Sequence, residues 1–165
     1  MPEIIFDNCV LSNFALSDSL FIIKKLYARR SHITDFVAAE NLKGILKGYR
    51  ELSAIKDAIR DRWVREITLD SMEEKALFET LSVSLGFGEA SSIAVAKVRS
   101  FVFACDDKMA RKEAILLAVK LTGTVGILIK AVKKRIIDLK KANEILSRMI
   151  TYGFYSPINS IDIDE

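Results

Sequence analysis

Phe101-Val102-Phe103-Ala104-Cys105, closed at once by Asp106-Asp107, is the stretch on which the fold turns. Five apolar residues in a row, with no polar alternation, read as a strand buried on both faces, the pattern of a parallel sheet. The sequence from 108 to 120 then takes helical spacing, with Ile115, Leu116 and Val119 expected on its inner side. Upstream, Glu3-Ile4-Ile5-Phe6-Asp7 repeats the design, a short apolar run ending in an acid. A helix is expected to begin near Leu11–Ala15, and Ser17-Asp18 to cap a second one carrying Leu20, Ile23, Leu26 and Tyr27 on one face. His32-Ile33-Thr34 reads as a further strand, followed by a helix through Phe36, Val37, Glu40 and Leu42.

The middle of the chain is more charged. Residues 49–66 read as a surface helix with Asp61/Arg65 and Arg62/Glu66 spaced to pair along it. Glu66–Leu69 reads as an edge strand, and Asp70-Ser71 as the start of a helix running to about Leu85. Gly86-Phe87-Gly88 breaks that helix, and Glu89 opens the next. Leu121-Thr122 is a short strand, the turn at 123–126 leads into a helix through Lys134, and a last amphipathic helix spans about 138–151. Strands alternating with helices predict an α/β fold: a three-layer α/β/α sandwich with a mostly parallel central sheet. The expected organisation is one domain over 1–155 with an extended or loose C-terminal tail over 156–165.

Composition narrows the function classes. Half of the 165 residues are hydrophobic and 28% are charged, which excludes global disorder. Seven glycines and two prolines are too few for a turn-rich all-β sandwich. The charge of +3 is too small to identify a partner. Cys9 and Cys105 sit in apolar runs and read as two buried thiols of a reducing compartment; without a CxxC, a zinc ribbon has no ligands. His32 is the only histidine, so a Ser-His-Asp triad would depend on it alone. Met1-Pro2-Glu3 does not resemble a secretion signal. The apolar stretch from Ile115 to Val132 carries Lys120, Lys130 and the Gly123–Gly126 break. It therefore reads as a turn between buried elements rather than a membrane span. A soluble, cytoplasmic protein is expected.

Two buried strands ending in acids bring Asp7, Asp106 and Asp107 to one edge of a parallel sheet, where open α/β folds bind ligands. Glu89, at a helix start after a glycine loop, reaches the same edge, and Glu40 stands in the helix after a strand. Clustered carboxylates repel and raise one another's pKa unless a cation is present. Oxygen ligands without histidine suit Mg²⁺ or Mn²⁺ and point to metal-assisted phosphodiester hydrolysis. Each acid also has a plainer reading: Asp7 and Asp107 as helix caps, Glu89 as a partner of the helix dipole, Glu40 as a solvated glutamate.

The ordered segments "IIFDNCVLSNFAL", "ITDFVAAENLKGI", "LGFGEASSIAVAKV" and "FVFACDDKMARKEAILLAVKLTGTVGILIKAVKKRII" resemble the PIN-domain family. The likeness is to its prokaryotic, toxin-like ribonuclease branch with Gly-Glu-Ala and Asp-Asp-x-x-Ala-Arg motifs, and runs from Glu3 to about Ser156. The resemblance implies a metal-dependent endoribonuclease, with Asp7, Glu40, Glu89 and Asp106 as catalytic residues. It implies one or two Mg²⁺ or Mn²⁺ on Asp7, Glu89 and Asp106, with Asp107 beside them, Glu40 as a further ligand or water-orienting base, and a product that keeps a 5′-phosphate. It also implies an RNA substrate, a homodimer and, for a toxin of a toxin–antitoxin pair, an antitoxin partner. The hydroxyl residue that often follows the first acid in the family is Asn8 here.

Lys108 and Arg111 stand close to the expected cleft and are candidates for RNA phosphate contacts. Lys130, Lys133, Lys134, Arg135, Lys140 and Lys141 form a second basic cluster that also reads as a solvated face. Two other readings compete with the nuclease: an inactive PIN-fold module that binds RNA or protein, and a metal-dependent phosphohydrolase of small molecules. The four acids favour an enzyme. An open groove with a basic rim favours RNA, whereas a closed pocket favours a small substrate.

Overall fold

In the computed structural model, which describes residues 1–163, the two acid-terminated runs lie side by side at the centre of the sheet. The elements are β1 (Ile4–Phe6), α1 (Asn8–Leu16), α2 (Leu20–Tyr27), β2 (Ser31–Thr34), α3 (Asp35–Leu46), a 3-10 turn (Arg50–Leu52), α4 (Ser53–Arg60), β3 (Val64–Ile67), α5 (Met72–Leu81), α6 (Phe87–Arg99), β4 (Val102–Ala104), α7 (Lys108–Leu116), β5 (Leu121–Thr122), α8 (Thr124–Lys133) and α9 (Leu139–Thr151). All pairings are parallel, in the order β3-β2-β1-β4-β5. Ile4, Ile5 and Phe6 stand opposite Val102, Phe103 and Ala104.

The sheet separates two cores, and side chains alternate between them as the strand period of two requires. Ile4, Phe6 and Ala104 face a core that includes Phe14, Ile22, Ile127 and Leu146, from α1, α2, α8 and α9. Ile5, Phe103 and Cys105 face the other, with Leu81, Ile93 and Ala114 from α5, α6 and α7. Burial on both faces is why these strands are continuously apolar, and each fully buried Ile or Phe contributes about 1.5–3 kcal/mol relative to exposure. The three-layer α/β/α architecture with a parallel sheet is therefore as expected. Among the described residues no helix is long and apolar enough to cross a membrane.

Several boundaries differ from the sequence reading. The charged helix expected over 49–66 stops at Arg60, because Arg62 takes a left-handed backbone (φ 62°) and Trp63 and Val64 are buried. Val64 pairs with Ser31, so Arg65 and Glu66 are strand residues and the last strand of this half starts earlier than expected. Arg60 pairs instead with Asp57 (3.1 Å) and Asp61 (3.2 Å). Helix α5 ends at Leu81, and α6 already begins at Phe87, so Gly88 lies inside it. Helix α7 ends at Leu116, with Ala118 in the left-handed region. Its small residues Ala110 and Ala114 face the core, leaving Ile115 and Leu116 exposed rather than inside. Cys105 is buried, but Cys9 is exposed, contrary to its apolar surroundings in sequence.

Glu74, in the first turn of α5, is a buried ion-pair partner: Arg99 Nε donates to it at 2.7 Å, tying α5 to α6.

The C-terminal segment is tied back rather than loose. Ile161 is buried, and its backbone bonds twice to the Asn143 amide of α9, donating to Oδ1 (2.6 Å) and accepting from Nδ2 (3.0 Å). Asp164 and Glu165 of the expected tail lie outside the described residues. Asn143→Ala should therefore destabilise the protein by about 1–3 kcal/mol, since it strands a buried donor and acceptor together. Urea denaturation measures this; an unchanged midpoint would mean that the segment does not contribute to the core.

Candidate active site

The strand order reverses between β1 and β4, for the chain passes from β1 outward to β2 and β3, and from β4 outward to β5 on the other side. A crevice opens at the C-terminal ends of strands at such a point. Asp7 follows β1 directly, and its N–H donates to the Ala104 carbonyl (2.9 Å), continuing the ladder by one residue. The backbone direction therefore delivers Asp7 and Asp106 to the same crevice.

Asp7 is 2% exposed and precedes α1, yet its side chain makes no capping bond, and Oδ2 is buried without a partner. Burial pushes its pKa up to about 7, helped by the negative charges of Glu89 and Glu40. A carboxylate kept from water and faced by two others is strongly disfavoured as an anion.

Glu40 projects from α3 and Glu89 from the first turn of α6. The two helices are fastened at their N-termini by a buried hydroxyl chain. Thr34 Oγ1, which caps α3 by accepting from the Val37 N–H, shares a hydrogen bond with Ser91 Oγ (2.8 Å). Ser91 and Ser92 hydroxyls both donate to the Gly88 carbonyl (3.0 and 2.7 Å). Gly88 is needed for a close approach: a Cβ there would stand 2.5 Å from Glu40 Oε1. Burial raises the Glu40 pKa, against the pull of the Gly88 backbone and Lys43. Burial also raises that of Glu89, followed by the charge of Asp107, with Glu40 a smaller contribution and the Gly86 backbone opposing them. Asp7, Glu40 and Glu89 are thus brought together from three elements.

Asp106 is held differently. Its Oδ1 accepts from the Thr124 backbone N–H (2.9 Å); its Oδ2 accepts from Thr124 Oγ1 (2.6 Å) and Asn13 Nδ2 (3.3 Å). Asn13 Nδ2 also donates to Thr124 Oγ1 (3.1 Å), so α1, β4 and α8 meet at this carboxylate. Gly123 lets it in, for a Cβ there would fall 2.6 Å from Asp106 Oδ1. The Cys105 thiol beneath is pushed up by burial and then by Asp7, with Glu89 and Asp106 adding to the effect against the Asp107 backbone. Asn13 and Thr124 were not singled out in the sequence. The available signals were a polar pair, Ser12-Asn13, within the otherwise apolar run of α1 and a Thr directly after Gly123.

The remaining candidates have plainer surroundings. Asp107 caps α7, its Oδ2 accepting from the Ala110 N–H (2.9 Å), while its charge still reaches Glu89. Lys108 is exposed on α7. Arg111 Nη1 donates to the carbonyls of Cys105 (2.7 Å) and Thr122 (3.1 Å), so it ties the end of β4 to β5. Lys130 lies over the Tyr27 ring at 4.5 Å. At about 1.5 Å per residue, Lys130 and Lys133 are about 9–14 Å along α8 from Thr124, away from the crevice.

Among the described residues no group of three or more Asp, Glu, His or Cys side chains stands at the spacing that holds one ion. Mg²⁺ needs fewer: it is commonly bound by one or two carboxylates, with water and substrate phosphate completing its shell. An all-oxygen donor set with the buried, unpartnered Oδ2 of Asp7 fits that requirement.

A family model described as a PIN domain matches residues 3–162. No curated protein and no solved structure matches the chain.

Proposed function

The chain belongs to the PIN-domain family, and on that premise we propose that it is an endoribonuclease dependent on Mg²⁺ or Mn²⁺. PIN domains are generally nucleases and typically use divalent metals. The observation that supports this reading most is Asp7: a buried carboxylate with a free oxygen, faced by Glu40 and Glu89 at the β1/β4 crevice.

In this reading Asp7 and Asp106 would hold the metal, with Glu89 joining them and Asp107 beside Glu89. The bound ion would supply a water of lowered pKa and neutralise charge on the scissile phosphate. Asp7, whose pKa burial raises, would hold a cation as its carboxylate. Asn13 and Thr124 fix both oxygens of Asp106, so it presents a set orientation. Glu40, with its raised pKa and its seat on Gly88, orients the attacking water and takes its proton. The bond from water oxygen to phosphorus forms, the bond from phosphorus to the 3′-oxygen breaks, and that oxygen takes a proton from solvent. The product keeps a 5′-phosphate. The toxin role and antitoxin partner that the resemblance implies belong to this proposal and depend on the same cleavage, as does the homodimer on the same family likeness.

The test is incubation of the purified protein with single-stranded RNA in Mn²⁺, Mg²⁺ or EDTA. Fragments bearing 5′-phosphates in metal and none in EDTA are expected; intact RNA in all three would sink the proposal in favour of a binding module. Gly88→Ala adds a geometric check. Its Cβ displaces the Glu40 carboxylate while the fold stays intact, so cleavage should drop about 100-fold, the low end of what a positioned acid–base group contributes. Activity equal to the parent would show that cleavage does not need the Glu40 position that Gly88 allows.

A further inference from the structure

A groove of about 460 Å³ leads away from the crevice, starting at Asn8 and Glu40 and bounded by Lys43, Lys47, Tyr49 and Tyr152. We propose that this groove is a nucleotide subsite for single-stranded RNA: Lys43 and Lys47 hold backbone phosphates, and Tyr49 and Tyr152 receive a base. The proposal deepens the nuclease reading and rests on it for the position of the cut.

Three observations support it. Glu40, Lys43 and Lys47 follow one another at helical spacing along α3 and its C-cap, so the charge along this face changes from the acidic crevice to a cationic rim within two turns. An acidic crevice repels phosphates, and a strand that enters it needs positive charge on the approach. Two of the other candidates are committed elsewhere, Arg111 Nη1 to two carbonyls and Lys130 to the face of Tyr27, while Lys108 stands exposed on α7. Tyr49 and Tyr152 are 56% and 59% exposed, on separate elements, and both line the groove. Exposed aromatic rings beside cations are how single-strand grooves take bases without reading sequence. The volume lies within the roughly 300–1,000 Å³ of pockets that hold small ligands, room for one unstacked nucleotide.

Fluorescence anisotropy tests this in EDTA, where RNA is not cut, using a labelled single strand of about 12 nucleotides, within the usual range of such grooves. Lys43→Ala/Lys47→Ala should weaken binding about tenfold or more at ~0.1 M salt. It should also flatten the dependence of log affinity on log salt by about 1.4, or ~0.7 for each phosphate released. Tyr49→Leu/Tyr152→Leu should weaken binding at least about fivefold, the low end for losing one stacked base, and leave the salt slope unchanged. All four side chains are exposed, so the variants keep the fold, which melting curves check. A parent that does not bind RNA, or variants with affinity and slope equal to the parent, would overturn the subsite. The two proposals separate cleanly. Binding with both signatures in a protein that never cuts removes the nuclease reading alone. Cutting that is unaffected in both groove variants removes the subsite alone.

Discussion

Asp7→Asn should reduce RNA cleavage by about a thousandfold or more and, in the same protein, raise the melting temperature without metal. The loss follows from its place in the proposed mechanism, since removing a group that stabilises transition-state charge directly costs about 10²–10³ in rate, and this one also carries the metal. The gain follows from its burial. The Asp7 pKa rises from 3.8 to about 7. Three units at about 1.4 kcal/mol each make the ionised carboxyl a burden of about 4 kcal/mol above neutral pH. Asparagine keeps the shape and removes the charge, and with it the repulsion from Glu40 and Glu89. Cleavage assays and thermal melts at pH 8 measure both effects. A variant that cuts like the parent would remove Asp7 from the site, and one that melts lower would show that the carboxyl stabilises the fold rather than burdening it.

The pH dependence of stability is the second large effect. A carboxyl whose folded pKa is raised binds its proton more tightly in the native state, so the native state is favoured when it is protonated. Without metal, stability should therefore fall as pH rises from about 4 to about 7 and level off above, with Asp7 giving most of the slope. Glu40 and Glu89, also raised, act in the same direction. Glu74 acts oppositely: Arg99 lowers its pKa, so its contribution is present above the ordinary carboxylate range and lost as pH falls through its folded pKa. The metal-free optimum should accordingly lie in mildly acidic solution. Mn²⁺ should restore stability at pH 8, by about 2.7 kcal/mol when its concentration is a hundred times its Kd. Asp7→Asn should flatten the alkaline side and abolish the Mn²⁺ response. Urea midpoints across pH, with and without Mn²⁺, give the measurement; a parent equally stable at pH 5 and pH 8 would contradict the buried, crowded carboxyl.

What could be read in advance depended on how local the cause was. Strands β1 and β4 were legible because burial on both faces permits only apolar residues, and the acids that close them stood out against that background. Glu40 was not: nothing around it distinguishes a site glutamate from a solvated one, and only the family likeness raised it. The reason for its position, the missing Cβ of Gly88, is a contact between helices far apart in sequence. The same holds for Asn13 and Thr124, which meet at Asp106 from opposite ends of the chain. The segment at 60–66 reads as helix until Trp63 and Val64 find the core, because solvated charges suit a helix or an edge strand equally well. The Lys43–Tyr152 groove joins α3 to the end of α9, and neither segment alone announces it.

The clasp of Asn13, Thr124 and Asp106 also sets an order of events during synthesis. Asp106 is fixed in place only after Thr124 has left the ribosome and α8 has formed, although Asp7 emerged more than a hundred residues earlier. A nascent chain shorter than that carries the acids but lacks their arrangement.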